Sequence, residues 1–224
     1  MSPLLSKPNP RCARTRAALI DAGLQLFAER PIDAVPVDDI VAAAGVAKGS
    51  FFNHFDDKQA FANAIATDIR LDVEARVAEA NRDVRGPLER LTGGMVVAVE
   101  FALSQRKRAL VMLRAMASTT ERNHPLNAGL RADIEACIAA GHLNEQARRS
   151  GLLFWLGACQ MLMMSVLTQT LSRQDAAAQM GDTMVMTLIG MGVKPKVADK
   201  LGQQWVRYVK AFRQEGGEIY RPTK

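Results

Sequence analysis

Residues 37–58 read VDDIVAAAGVAKGSFFNHFDDK, and their reading decides the fold. Two short helical runs are set end to end around Gly45. In the first, Val37, Ile40 and Ala44 fall on one face, and Asp38 and Asp39 occupy the first turn, where the helix dipole favours negative charge. Gly45 stands where a helix needs a left-handed residue to stop, and Val46 can plug the junction. The second run, Lys48 to Phe55, carries Phe51 and Phe55 four apart, so both can face a core. That leaves Lys48, Gly49, Ser50, Phe52, Asn53 and His54 pointing outwards. A helix that buries only two side chains is poorly explained by stability and well explained as a probe. Two short helices joined by a glycine-containing turn form a helix-turn-helix, whose second member enters the DNA major groove. Gly49 would let the backbone come close to a duplex.

Outward from this stretch, helical periodicity continues and strand alternation is almost absent, so the expected fold is all-α. A first helix spans Arg14 to Arg30, with Leu19, Ala22, Gly23, Leu26 and Phe27 on one face and Pro31 ending it. Asp57 is placed to cap a fourth helix at about 58–81. Further helices are expected at about 88–104, 107–120, 126–140, 145–172, 175–191 and 195–215. The segment 175–191 sets Ala176, Met180, Met184, Thr187, Leu188 and Met191 on one stripe, and Gly93–Gly94 weakens the helical pattern at 88–104. The expected division is a helix-turn-helix domain with a basic arm at 1–58 and a helical bundle at 59–224.

The chain of 224 residues is 48% hydrophobic with 5% aromatics and carries a net charge of +6, a balance that permits an anionic partner without demanding one. Residues 1–58 hold seven cations and seven anions, but Lys7, Arg11, Arg14 and Arg16 precede every acid. They can form a mobile arm for an adjacent groove or a solvated tail. Three distant cysteines, Cys12, Cys137 and Cys159, argue for reduced thiols and a cytoplasmic setting. No signal-like apolar region opens the sequence. Residues 151–167 lack charge, yet the run is short for a bilayer span and contains Gln160 and Ser165; a buried or interface helix is the expectation, not a membrane segment. His54, His124 and His142 have no ligands at metal spacing. GVAKGS lacks the spacer of a phosphate loop. No metal, cofactor or catalytic site is expected.

Residues 15–61, TRAALIDAGLQLFAERPIDAVPVDDIVAAAGVAKGSFFNHFDDKQAF, closely resemble the N-terminal domain of TetR-type (tetracycline-repressor-like) transcriptional regulators. Thr15–Arg16, LFAER, DDIVAAAGVAKGS and the His54–Lys58 stretch carry the likeness. Beyond them only length and helix count agree. Such regulators usually place Gly at the position of Pro31, a Thr or Ser cap at Pro36, Ser at Ala47 and Tyr at Phe52. The two hydroxyls missing at Pro36 and Phe52 commonly donate to phosphates, so Phe52 is left as an apolar contact. The resemblance implies double-stranded DNA as partner, with Lys48, Gly49, Ser50, Phe52, Asn53 and His54 at bases or phosphates, and Arg16 and Lys58 holding the backbone.

The resemblance also implies a cavity for an unknown small, largely apolar effector among the helices at 88–120 and 145–172. Met112, Met116, Phe154, Trp155 and Met161 are the candidates to line it. It further implies a homodimer through the helices at about 145–172 and 175–191, with the uncharged run and the Ala/Met/Gly stripe as its apolar interface, and hence a palindromic operator. A ligand would then move the fourth helix and release the DNA. The alternative is a helix-turn-helix protein with no small-molecule switch, acting as an architectural or co-assembling factor.

Overall fold

The computed structural model of the chain describes residues 10–115 and 124–211. Among these residues there is no strand, and ten helices follow in order: α1 (Pro10–Glu29), α2 (Val37–Ala44), α3 (Lys48–Phe52), α4 (Lys58–Ala80), α5 (Pro87–Ser104), α6 (Arg106–Ala115), α7 (Ala128–Ala139), α8 (Gln146–Thr168), α9 (Arg173–Gly190) and α10 (Pro195–Ala211). Single 3-10 turns occupy Ile32–Ala34 and Pro125–Asn127. Met116 and Phe212 lie outside the described residues, as does Lys7.

The first three helices close around an aromatic cluster. Leu19, Phe27, Ile40, Phe51 and Phe61 are fully buried. The Phe61 ring sits 4.7 Å from Phe55, 5.2 Å from Phe51 and 5.8 Å from Phe27, tilted edge-on to each. Such pairs add about 0.5–1.5 kcal/mol each beyond burial. Gly23 is required here: a Cβ on it would stand 2.4 Å from the Phe61 ring. Because Phe61, Ala62 and Ile65 belong to α4, that helix is rooted in the amino-terminal core, while its later residues Ile69 and Val73 are buried further along the chain's core.

Gly45 ends α2 in the left-handed region, φ 65° and ψ 33°, as the turn chemistry requires. Val41, which the sequence reading passed over, is buried beside Ile40. α3 is shorter than the expected Lys48–Phe55. The Phe55 N–H still donates to the Phe51 carbonyl at 3.0 Å. Asp57 then turns extended and its carboxylate accepts from the Ala60 N–H at 2.7 Å, capping α4 and ending the run. α1 in turn begins earlier than Arg14. Proline suits a first helical turn, having no N–H to leave unpaired, so Pro10 opens the helix and Arg11, Arg14 and Arg16 ride on it rather than on a free arm.

α5 runs unbroken through Gly93 and Gly94; a Cβ on Gly93 would lie 3.1 Å from Asn81 Oδ1, so the glycines let α4's end approach α5. α8 ends at Thr168 and α9 starts at Arg173, capped by Ser172, whose hydroxyl accepts from the Asp175 N–H at 3.2 Å. The stripe Ala176, Met180, Met184, Thr187 and Leu188 is buried as expected. Its cover, however, is this chain's own bundle rather than a second subunit. α10 lies so close along α9 that a Cβ on Gly181 would meet Val206 at 2.4 Å, and one on Gly202 would meet Val185 at 2.6 Å. Trp205, on the same helix, donates from its indole N–H to Thr92 Oγ1 on α5 at 2.9 Å. α8 is the one described helix long and apolar enough to cross a bilayer, and half of its most apolar window is buried inside the subunit, as in a core helix.

Candidate nucleic-acid interface and internal cavity

α3 is held from beneath by Phe51 and, just past its end, by Phe55. Its outer surface is unpacked. Lys48, Gly49, Phe52 and Asn53 are exposed, Ser50 and His54 half-buried. Phe52 is 52% exposed, a large apolar side chain left half open to solvent. A Cβ added to Gly49 would meet no atom within 4 Å, so the glycine answers no crowding inside the domain. Lys48 Nζ lies 2.8 Å from Asp38 Oδ1 in a pair that is more than half exposed on both sides. Surface pairs of this kind are worth roughly 0–1 kcal/mol, so Lys48 can exchange its carboxylate for a phosphate at little cost.

The two residues assigned to the DNA backbone are also fastened to the protein. Lys58 Nζ donates to the Asp33 carbonyl at 3.0 Å, tying the 3-10 turn to the start of α4. The Arg16 guanidinium lies 5.6 Å over the Phe55 ring and 3.6 Å from Asp68. His54 stands 3.9 Å from the exposed Cys12 thiol, across the α1–α3 junction. Lys48, Gly49, Ser50, Phe52, Asn53 and His54 therefore lie together around the outer side of α3, with Lys58 and Arg16 flanking them.

Behind the head, α4, α5, α6, α7 and α8 border a partly open cavity of about 160 Å³. Met112 and Trp155 line it, joined by Leu91, Leu156, Cys159 and Met163. Phe154 and Met161 do not. α8 advances 100° per residue, which turns Trp155, Cys159 and Met163 inward and Leu153, Phe154, Gly157 and Met161 outward. Phe154 is 49% and Met161 69% exposed, and both border an open groove on the outer face of α8 that Gly190 of α9 also lines. This corrects the expectation for those two residues.

The cavity's polar lining was missed by the sequence reading. Arg70 Nη2 lies 2.6 Å from Glu74 Oε1, and Arg90 Nε donates to Asp133 Oδ1 at 2.7 Å. Arg90 also donates to the Asn81 carbonyl at 3.0 Å, while the Asn81 amide donates to the Arg90 carbonyl at 3.1 Å. Burial raises the Glu74 carboxyl above its ordinary range, only partly offset by Arg70. Burial also pushes the Cys159 and Cys137 thiols up to about 12, leaving both protonated and inert at neutral pH. The spacing of Arg70 and Glu74 is the only trace of this cluster in the sequence, and it looks like any surface i,i+4 pair.

α6 connects cavity and head. Met112 faces the cavity. Two residues on, Arg114 Nη1 donates to the carbonyls of Phe27 at 2.6 Å, Ala28 at 3.2 Å and Arg30 at 3.3 Å, the open carbonyl end of α1. Arg108 Nη1 donates to Asp72 Oδ2 on α4 at 2.7 Å. Burial raises the Asp72 carboxyl, but hydrogen bonds from Arg76 and Arg108 outweigh it and hold the group below its ordinary value. At the other end of α6, Arg106 Nη2 donates to the Leu167 carbonyl at 2.8 Å.

Residues 19–65 match the profile of bacterial regulatory proteins of the tetR family. The HTH-type transcriptional repressor DhaR of Mycobacterium sp. (strain GP1) is 39% identical over 77 residues, 34% of this chain and 39% of DhaR. The chain spans about half or less of the length of the curated relatives it matches. Among solved structures, RolR in complex with resorcinol superposes with a TM-score of 0.62 at 19% identity, covering 94% of this chain and 98% of RolR. The TetR family protein CprB from S. coelicolor A3(2) gives 0.56 at 19% identity, covering 88% and 98%. Residues 19–65 thus carry a tetR-family domain, and the whole chain shares the fold of these solved structures.

Proposed function

We propose that the chain is a cytoplasmic, dimeric DNA-binding transcriptional repressor, released from a palindromic operator by a small molecule held in the α4–α8 cavity. One observation carries the reading: α3 is anchored from below by aromatic rings and presents Lys48, Gly49, Phe52 and Asn53 exposed on its outer side, with none of the described residues packed over them. The residues 1–58, completed by the first turns of α4, are the reading head. The repressor DhaR supports the sign of regulation. The cavity favours a ligand switch over an architectural role, and RolR, solved with resorcinol bound, has the same fold.

The dimer is inferred from the outer faces of α8 and α9. Leu153, Phe154 and Met161 on one helix, and Met186 and Ile189 on the other, are each at least 41% exposed. A contiguous apolar patch of this kind marks an association site. Packed against itself about a two-fold axis, it makes a four-helix interface and sets two α3 helices on one face of a duplex.

The test is the salt dependence of DNA affinity, using duplexes that the protein selects from a random pool. Lys48→Ala and Lys58→Ala are each expected to lower the slope of log affinity against log salt by about 0.9, one phosphate contact apiece. Unchanged slopes for both would remove this face from the interface.

Release is routed through α6 as well as α4. A ligand that moves Met112 moves the Arg114 clasp on α1, and a ligand acts only through unequal affinity for the two arrangements. Arg114→Ala is expected to speed amide hydrogen exchange in the last turn of α1 about fivefold, equivalent to a clasp worth about 1 kcal/mol at this exposed site. The protected amides of α5 are expected to stay as they are. Identical exchange in α1 would show that the clasp transmits nothing.

A further inference from the structure

We propose that Phe52 reads the methyl group of a thymine in each half of the operator, an inference that rests on the DNA-binding reading above and makes this residue a determinant of sequence. Exposure is the first argument. Phe52 is the last residue of α3, and Lys48, Gly49 and Asn53 around it are exposed too. Every other large hydrophobic side chain among residues 10–58 is buried or half-buried. A single open ring is informative when it falls on a face proposed to bind.

The second argument is that the ring is held in place. It rests edge-to-face on Phe51, with centroids 5.3 Å apart and planes at 79°. Phe51 is itself packed against Phe55 and Phe61 in the core of the head. The exposed part of Phe52 is therefore positioned before DNA arrives, and binding costs it little side-chain freedom.

Clearance is the third argument. Gly49 stands three residues before Phe52, the spacing of side-chain neighbours on a helix. It has no side chain to come between ring and duplex. Packing within the described residues does not call for a glycine there, since an added Cβ would meet no atom within 4 Å. The bare backbone lets α3, and the ring with it, approach the base edges.

The chemistry of the groove supplies the fourth. A phenyl ring has no N–H or O–H to offer a phosphate oxygen or a polar base edge. The major groove presents one apolar group at the level of the bases, the thymine methyl. The amide of the exposed neighbour Asn53 suits a base edge, adenine above all, which sets the ring over the same groove floor rather than along the sugar-phosphate rim.

The experiment starts from duplexes that the full-length protein selects from a random pool and replaces each thymine in turn by deoxyuridine, which removes the methyl group and keeps the base pair. One thymine per half-site is expected to be sensitive. Its replacement lowers wild-type affinity about fourfold, the worth of one buried methyl group, and replacement in both half-sites about fifteenfold. At the same position 5-methylcytosine is expected to bind about fourfold more tightly than cytosine, because the methyl group is what is read. Phe52→Ala is expected to bind the unmodified duplex more weakly and to treat thymine and deoxyuridine alike. The deoxyuridine series on wild-type protein needs no variant, so it stands whether or not Phe52→Ala folds. A duplex with no sensitive thymine overturns the proposal. So does a sensitivity that Phe52→Ala retains, which would give the methyl group to another residue. A uniform loss in Phe52→Ala with no methyl effect assigns the ring to a sugar and overturns it as well. Each of these failures leaves the DNA-binding reading standing, whereas failure to enrich any duplex sinks that reading and the inference with it.

Discussion

Met161→Glu combined with Met186→Glu is expected to convert the protein to a monomer at micromolar concentration and to lower operator affinity at least about 100-fold. The two methionines are 69% and 73% exposed within the subunit, so neither side chain supports the fold, and glutamate at both positions leaves the subunit core untouched. At a two-fold interface each substitution appears twice, which places four like charges against one another and against Leu153, Phe154 and Ile189. Burying unpaired carboxylates there opposes association by several kcal/mol. A monomer meets one half-site only and forfeits the gain of about 10²–10⁴ that comes from linking two binding events. Sedimentation and operator titration check both halves of the expectation. A variant that remains dimeric would exclude the outer faces of α8 and α9 as the interface.

Phe51→Ala is expected to destabilise the amino-terminal head by about 3–5 kcal/mol, the usual cost of emptying a packed aromatic site. Phe51 is fully buried and contacts Phe52, Phe55 and Phe61, with ring centroids 5.2–5.6 Å away. That loss is a large part of a small unit's whole stability. DNA binding should therefore disappear, while the bundle of α5, α8, α9 and α10, whose core contains none of these rings, keeps its cooperative melting transition. Thermal unfolding followed by helical circular dichroism, with fluorescence from Trp155 and Trp205, separates the two parts. A single transition shifted as one would show that head and bundle do not unfold separately.

The head was legible in the sequence because local chemistry decides it. Gly45 is left-handed where the turn needs it, Asp57 caps α4, and Phe51 and Phe55 share a face. The length of α3 was less legible, since its end is set by the start of the next helix rather than by any breaker within it. In the bundle, periodicity located the helices but not their partners. α8 is apolar on nearly all sides, so nothing in its pattern separates Trp155, inside, from Phe154, its neighbour, outside. The stripe of α9 was expected to meet a second subunit, and its apolar pattern could not show that the chain's own bundle, with α10 close alongside, buries it instead. Arg70, Glu74 and Asp133 were invisible as cavity residues because pairing that is routine on a helix surface gives no hint of enclosure. Arg114 was equally invisible, its three acceptors being more than eighty residues away.

The rooting of α4 has a mechanical consequence. From Glu74, beside the cavity, to Lys58, at the head, the helix extends about 24 Å at 1.5 Å per residue. A pivot of about 5° at the cavity end swings the far end sideways by about 2 Å, and in the proposed dimer the second copy swings the opposite way. Two points gripping a rigid rod cannot both tolerate an error of that size when each grip depends on contacts with a tolerance of a few tenths of an ångström. A stiff lever of this length therefore turns a displacement no larger than a side-chain adjustment into a failed fit at the other end.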